Sequence, residues 1–152
     1  MKLDIQPLVA LCDQKIDIRV SDLPAHGKVK ISAMLRLPWA KSVLYESAAW
    51  FTADADGRVD LARQKPDSGS YDFIDSMGLI VSMKRVMGKS KEITRNISVS
   101  ENLFINIQAE CEQEKESARL ERLFISPEVK SLKITDEFVG DYFTLKNPGI
   151  KL

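Results

Sequence analysis

Leu103-Phe104-Ile105-Asn106-Ile107-Gln108-Ala109-Glu110-Cys111-Glu112 reads with a period of two. Leu103, Ile105, Ile107, Ala109 and Cys111 fall on one side of an extended chain; Asn106, Gln108, Glu110 and Glu112 fall on the other. Successive side chains of a strand point to opposite faces, so this alternation describes a strand half in a core and half in water. Shorter copies flank it. Ile16-Asp17-Ile18-Arg19-Val20 alternates cleanly, and Val29, Ile31, Ala33 and Leu35 share a face opposite Lys30, Ser32 and Arg36. Val43 to Ala53 is aromatic and apolar and stops at Asp54-Ala55-Asp56-Gly57, where Asp-Gly supplies the positive φ of a tight hairpin turn. Arg58 to Leu61 begins the return strand, and Leu79 to Val86 reads as a further strand. Ile93, Ile97 and Val99 alternate with polar residues; Gln113 to Glu116 turns the chain; Arg119 to Ile125 and Val129 to Ile134 complete the series. About eight strands joined by short turns, with no long helix, predict an all-β, immunoglobulin-like antiparallel β-sandwich of roughly 7–9 strands over residues 1–135.

Bulk properties exclude several classes. The 152 residues suit one domain, and 44% of them are hydrophobic. Lys plus Arg and Asp plus Glu both number 22, and no basic stripe is present, which argues against a nucleic-acid partner. No run approaches the ~20 apolar residues of a membrane span. Leu8-Val9-Ala10-Leu11-Cys12 faintly resembles a lipoprotein cleavage site, but Pro7, Asp4, Asp13 and the bulk of Leu11 speak against a leader, leaving the cytoplasm as the expected location. Cys12 and Cys111 read as free buried thiols, and Asn96-Ile97-Ser98 as a chance glycosylation match.

The groups needed for catalysis are sparse. Nucleophilic acyl chemistry requires a nucleophile hydrogen-bonded to a base, usually histidine. The single histidine, His26, lies in Leu23-Pro24-Ala25-His26-Gly27, which reads as an exposed turn, and no Gly-x-Ser-x-Gly elbow or cysteine counterpart occurs. One histidine and two distant cysteines leave no zinc spacing. Asp54, Asp56 and Gly57 mimic part of a calcium loop, but the twelfth position would be Arg63, where a bidentate Glu is required. The 7 glycines are scattered rather than gathered in a phosphate loop, and the carboxylates from Glu110 to Glu121 read as a solvated hairpin face. No catalytic, metal or cofactor-binding residue is expected; a carboxylate-based hydrolase is the weakest alternative.

Residues 61–79 are too long for a plain connection and carry Tyr71, Phe73, Ile74, Met77 and Leu79. These apolar residues either cap the open end of the sandwich or belong to an interface with another domain; Tyr71, Phe73, Asp75, Met77 and Leu79 are the interface candidates. Glu137 to Leu145 reads as one more hairpin, followed by the turn Asn147-Pro148-Gly149 and an apolar stop at Leu152. Residues 136–152 are therefore expected to begin, or lead into, a further domain.

These pieces together resemble a known family. Phe51-Thr52-Ala53-Asp54-Ala55-Asp56-Gly57-Arg58-Val59-Asp60-Leu61 is similar to a motif in the N-terminal domain of acyl-CoA thioester hydrolases and bile acid-CoA:amino acid N-acyltransferases. Gly69-Ser70-Tyr71 and Met77-Gly78-Leu79-Ile80-Val81-Ser82-Met83 resemble that family's Gly-Ser-Tyr and Met-Gly-Leu segments, and Leu120-Glu121-Arg122-Leu123-Phe124-Ile125 its Arg-containing strand. Asp22-Leu23-Pro24 fits the opening turn, while Val81, Lys65 and Pro66 depart from the pattern. The resemblance implies a non-catalytic sandwich whose partner is a C-terminal α/β-hydrolase domain of the same polypeptide. That domain would bear a Ser or Cys nucleophile, an Asp and a His, and would act on acyl-CoA by hydrolysis or by transfer to an amino acid. None of those catalytic positions maps onto this chain, and a homo-oligomer is left open. The competing expectation is a free-standing immunoglobulin-like interaction module.

Overall fold

The computed structural model describes residues 1–93, 101–134 and 140–146. Twelve strands and two single-turn helices make up these residues: β1 (Lys2–Gln6), β2 (Val9–Leu11), β3 (Asp17–Ser21), β4 (Lys28–Leu37), β5 (Ala40–Thr52), β6 (Val59–Asp60), β7 (Ser68–Gly69), α1 (Gly78–Val81), β8 (Lys84–Met87), α2 (Ser90–Ile93), β9 (Leu103–Cys111), β10 (Glu114–Leu123), β11 (Val129–Ile134) and β12 (Gly140–Leu145). The fold is all-β. A large sheet runs β2-β10-β9-β4-β5-β7, with β8 also on β5; a small sheet runs β1-β3-β6; β11 and β12 form a third sheet by themselves.

Alternation in the sequence becomes a shared core. Val29, Ile31, Ala33 and Leu35 of β4, Ala49 and Phe51 of β5, and Ile105, Ile107, Ala109 and Cys111 of β9 turn inward from the large sheet. Ile5 of β1, Ile18 and Val20 of β3, and Val59 of β6 meet them from the small sheet in one cluster. Register alternates bulk across strands: Ile31 lies between Ala49 and Ala109. A large side chain flanked by two small ones leaves room for the facing sheet to interdigitate, which is how interiors reach crystal-like density.

Several expectations need correction. The Asp54–Gly57 turn does form: Asp54 Oδ1 accepts from the amides of Asp56 at 2.9 Å and Arg58 at 2.8 Å, and Gly57 has φ +70°. It is no hairpin, however, because β6 pairs with β3 in the other sheet and so carries the chain from one layer to the next. Leu79–Val86 is not one strand. Asp75 organises the turn before α1, its Oδ1 accepting from Met77 N and its carbonyl from Gly78 N, and only Lys84–Met87 extends along the edge of β5. Ile93 ends α2 rather than starting a strand, and Ile97 and Val99 lie outside the described residues. Glu114–Glu116 belong to β10, so the turn tightens to Glu112–Gln113. Gly140–Leu145 of the expected 137–145 hairpin is a single strand paired with β11, and residues 137–139 lie outside the described residues. β1 and β2 were not anticipated, and β2 pairs parallel to β10, the one departure from antiparallel pairing in the described sheets.

Candidate functional site

The segment between β6 and β8 is a strap over the open edge of β5, held by backbone and side-chain hydrogen bonds alike. Gln64 Nε2 donates to Thr52 O (2.8 Å), Thr52 Oγ1 to Asp67 Oδ2 (2.7 Å), and Asp67 N to Trp50 O (2.8 Å). Ser70 closes a reciprocal pair with Ala48: its amide donates to Ala48 O at 2.8 Å, and its Oγ accepts from Ala48 N at 3.0 Å. Gly69, at φ +135°, is pressed so close to β5 that a Cβ would sit 2.4 Å from Ala48 O. The Gly-Ser-Tyr motif is thus a docking device for the strap, and each residue has a separate task.

Beyond Ser70 the interface candidates divide. Tyr71 is 6% exposed and Leu79 fully buried, both in the core cluster. Met77 is half-buried against that cluster, and its Sδ accepts from Ile16 N at 3.4 Å. Asp75 is half-buried and serves the turn into α1. Phe73, at 46% exposure, packs one side of its ring on Tyr71, with centroids 5.4 Å apart, and turns the rest outward beside Ile74, at 57%. Gly78 lets the Tyr71 ring lie flat on the backbone, since a Cβ there would stand 2.4 Å from Tyr71 Cε2. Leu79 O accepts from Ser47 Oγ, tying the helix back to β5. Burial, and secondarily the charge of Asp75, push the Tyr71 phenol up to about 12. Its hydroxyl is buried with no hydrogen-bond partner among the described residues. The strap therefore caps its own core with Tyr71, Met77 and Leu79 and presents a two-residue, half-exposed apolar tip, Phe73-Ile74. Ile74 was not among the interface candidates, although its place beside Phe73 in a loop was visible.

Reactive groups elsewhere are scattered. His26 is exposed in a turn at φ +60°. Cys111 is buried and Cys12 exposed, which corrects the expectation of two buried thiols; desolvation raises the pKa of both, opposite to what a nucleophilic thiol needs. Among the described residues no three His, Cys, Asp or Glu side chains gather where they could hold a metal ion. No helix there is long and apolar enough to cross a membrane. An open groove of about 810 Å³ on the small sheet is lined by Lys2, Asp4, Arg19, Arg58, Asp60 and Arg63. Asp60 is shared there by two cations, Arg19 at 3.1 Å and Arg63 at 3.8 Å.

Arg122, in the Arg-containing strand, is a positioning group that sequence reasoning left without a role. It is buried, and its Nη2 donates to Cys12 O at 2.8 Å and Gln14 O at 2.7 Å. It thereby holds the chain between β2 and β3 against β10. Burial lowers its pKa, an effect the two carbonyl acceptors help it to tolerate. Bound to main-chain carbonyls of its own domain, Arg122 is a structural clamp.

The chain is 27% identical to acyl-coenzyme A thioesterase 1 of Rattus norvegicus over 155 aligned residues, covering 97% of this chain and 36% of that protein. It is 29% identical to the bile acid-CoA:amino acid N-acyltransferase of Mus musculus over 146, covering 89% and 34%. A shorter stretch of 74 residues is 35% identical to acyl-coenzyme A thioesterase 3 of Mus musculus, covering 49% and 17%. The chain thus spans about a third of the length of the relatives it matches end to end. Residues 13–136, which hold the strap, the Asp54–Gly57 turn and Arg122, match the family described as the acyl-CoA thioester hydrolase/BAAT N-terminal region, and the chain belongs to that family.

Proposed function

We propose that this chain is the accessory sandwich of an acyl-CoA thioester hydrolase or an acyl-CoA:amino acid N-acyltransferase, and that a separate α/β-hydrolase domain of the same polypeptide performs the chemistry. The carrying observation is the match of residues 13–136 to the N-terminal region of that family in a chain about a third as long as its relatives. The side-chain inventory supports the same division. Thioester attack needs a nucleophile and base in hydrogen-bond contact, and the one imidazole of the sequence is an exposed turn residue.

On this reading the strap is the contact element. Tyr71, Met77 and Leu79 hold it on the sandwich, Asp75 sets its turn, and Phe73 with Ile74 reaches the catalytic domain at the rim of the acyl-CoA cleft. An apolar tip at that rim keeps bulk water from the thioester while the acyl group transfers to water or to an amine. Acyl-CoA enters as substrate, and no further cofactor is invoked. The two unpaired cysteines fit a reducing compartment such as the cytoplasm.

The test is release of free CoA thiol from fatty acyl-CoA and bile acyl-CoA, with and without an amino acid acceptor. The 152-residue chain would be compared with the polypeptide extended to the relatives' length. Turnover by the extended polypeptide alone is expected. Enzyme-like turnover by the short chain would overturn the proposal.

A further inference from the structure

The β11–β12 hairpin is built differently from the rest of the chain. Its register pairs Val129 with Leu145, Ser131 with Phe143, Leu132 with Tyr142 and Ile134 with Gly140. Alternation then places Val129, Phe143 and Leu145 on one face and Leu132, Ile134 and Tyr142 on the other. Each face thus carries three large apolar side chains, the first beside Ser131, Lys133 and Asp141 and the second beside Lys130 and Thr144, whereas the outer faces of β4 and β9 are mostly polar. Yet no residue of either strand is buried, and among the described residues the two strands pair only with each other. Among its described residues only Val129 and Thr144 are even partly covered.

A two-stranded hairpin alone in water is marginal at best. Strands that place large apolar side chains on both faces suit a sheet covered on both sides, the middle layer of a three-layer domain. A second copy, or a peptide laid on one surface, would cover one face and leave the other wet. The match to the family's N-terminal region takes in β11 and stops before β12, and relatives run on for about twice the chain's length. We infer, on the strength of the reading under Proposed function, that β11 and β12 are adjacent strands of the downstream domain's sheet. Their occupant on both faces is that domain's own covering layers. The division between the two domains then lies at Ser126-Pro127 rather than between residues 135 and 136, and the sandwich ends with β10.

Hydrogen exchange read by mass spectrometry separates the possibilities. In the 152-residue chain, amides of 129–134 and 140–145 are expected to exchange on the order of 100-fold or more faster than those of β4 and β9, at every protein concentration. In the polypeptide extended to the relatives' length, they are expected to become protected. Protection equal to β4 and β9 in the short chain would place the hairpin on the sandwich and overturn the inference. Protection that rises with concentration would make a second copy the occupant, with the same consequence. Leu132→Asp and Phe143→Asp probe the two faces separately. Both should leave the short chain's melting midpoint unchanged, and both should lower that of the extended polypeptide. An effect of only one would mean one-sided docking and refute the two-sided sheet. Fast exchange in an extended polypeptide that still turns over acyl-CoA would sink this inference alone; absence of turnover with a protected hairpin would sink the functional reading alone.

Discussion

Replacing Leu79 by alanine measures how far the strap is part of the sandwich. Leu79 sits at the start of α1 with no solvent exposure, and its carbonyl is tied to Ser47. The substitution removes three carbons at about 0.8 kcal/mol per buried methylene. A cavity term adds to that wherever the surroundings cannot collapse, bringing the loss to about 3 kcal/mol. In a domain of this size each kcal/mol shifts the melting midpoint by roughly 2–4 °C, so a fall of about 6–12 °C is expected. Phe73→Ala, six residues away on the same strap, truncates a ring 46% exposed and is expected to cost under about 1 kcal/mol. Urea unfolding followed by tryptophan fluorescence reads both, because Trp50 shares backbone hydrogen bonds with the strap at Asp67 and pairs with Ser68. Equal losses for the two variants, or a loss above about 2 kcal/mol for Phe73→Ala, would refute the division of the strap into an anchored part and a free tip.

Gly78→Ala drives a methyl into the Tyr71 ring and is expected to destabilise by about 2 kcal/mol; wild-type stability in the same urea titration would mean the ring is not packed on that backbone. Tyr71→Phe removes a buried hydroxyl without a described partner, so no loss of stability is expected at pH 7, and a loss beyond about 1 kcal/mol would reveal a partner. The same variant tests the alkaline limb. A phenol whose pKa rises from 10.0 to about 12 on folding holds its proton more tightly when folded. Its contribution is therefore complete below pH 10.0 and is lost as pH climbs toward about 12, a decline that Tyr71→Phe should flatten. Arg122→Met leaves the Cys12 and Gln14 carbonyls unpaired and is expected to cost about 2–3 kcal/mol, with faster hydrogen exchange in β2; unchanged exchange there would show that β2 does not depend on the clamp.

The candidate site was legible unevenly, for reasons that individual residues make plain. Tyr71, Phe73, Asp75, Met77 and Leu79 were identifiable as a group because apolar residues crowded a loop punctuated by Ser68, Gly69, Ser70 and Gly78. Sequence does not say which of them face inward. That depends on the edge of β5, to which Ser70 and Asp67 bind from about 20 residues away. Arg122 illustrates the same limit, since its partners are carbonyls more than 100 residues earlier. The two-sided hairpin had a signal in the interleaved apolar positions of Val129, Leu132 and Ile134, but its meaning rests on finding both faces uncovered.

Local chemistry was enough to determine that this chain is built of strands, where β3, β4, β5 and β9 run, that Asp54–Gly57 turns, and that one turn histidine stands alone. Period-two alternation and positive-φ turn chemistry act between near neighbours and are written directly in the order of residues. Tertiary structure alone decided that β6 joins the other layer, that β1 and β2 complete the two sheets, and that residues 78–81 coil rather than extend. Each of these turns on hydrogen-bond partners and buried area supplied by segments distant in sequence, and such long-range terms override local preference wherever that preference is weak.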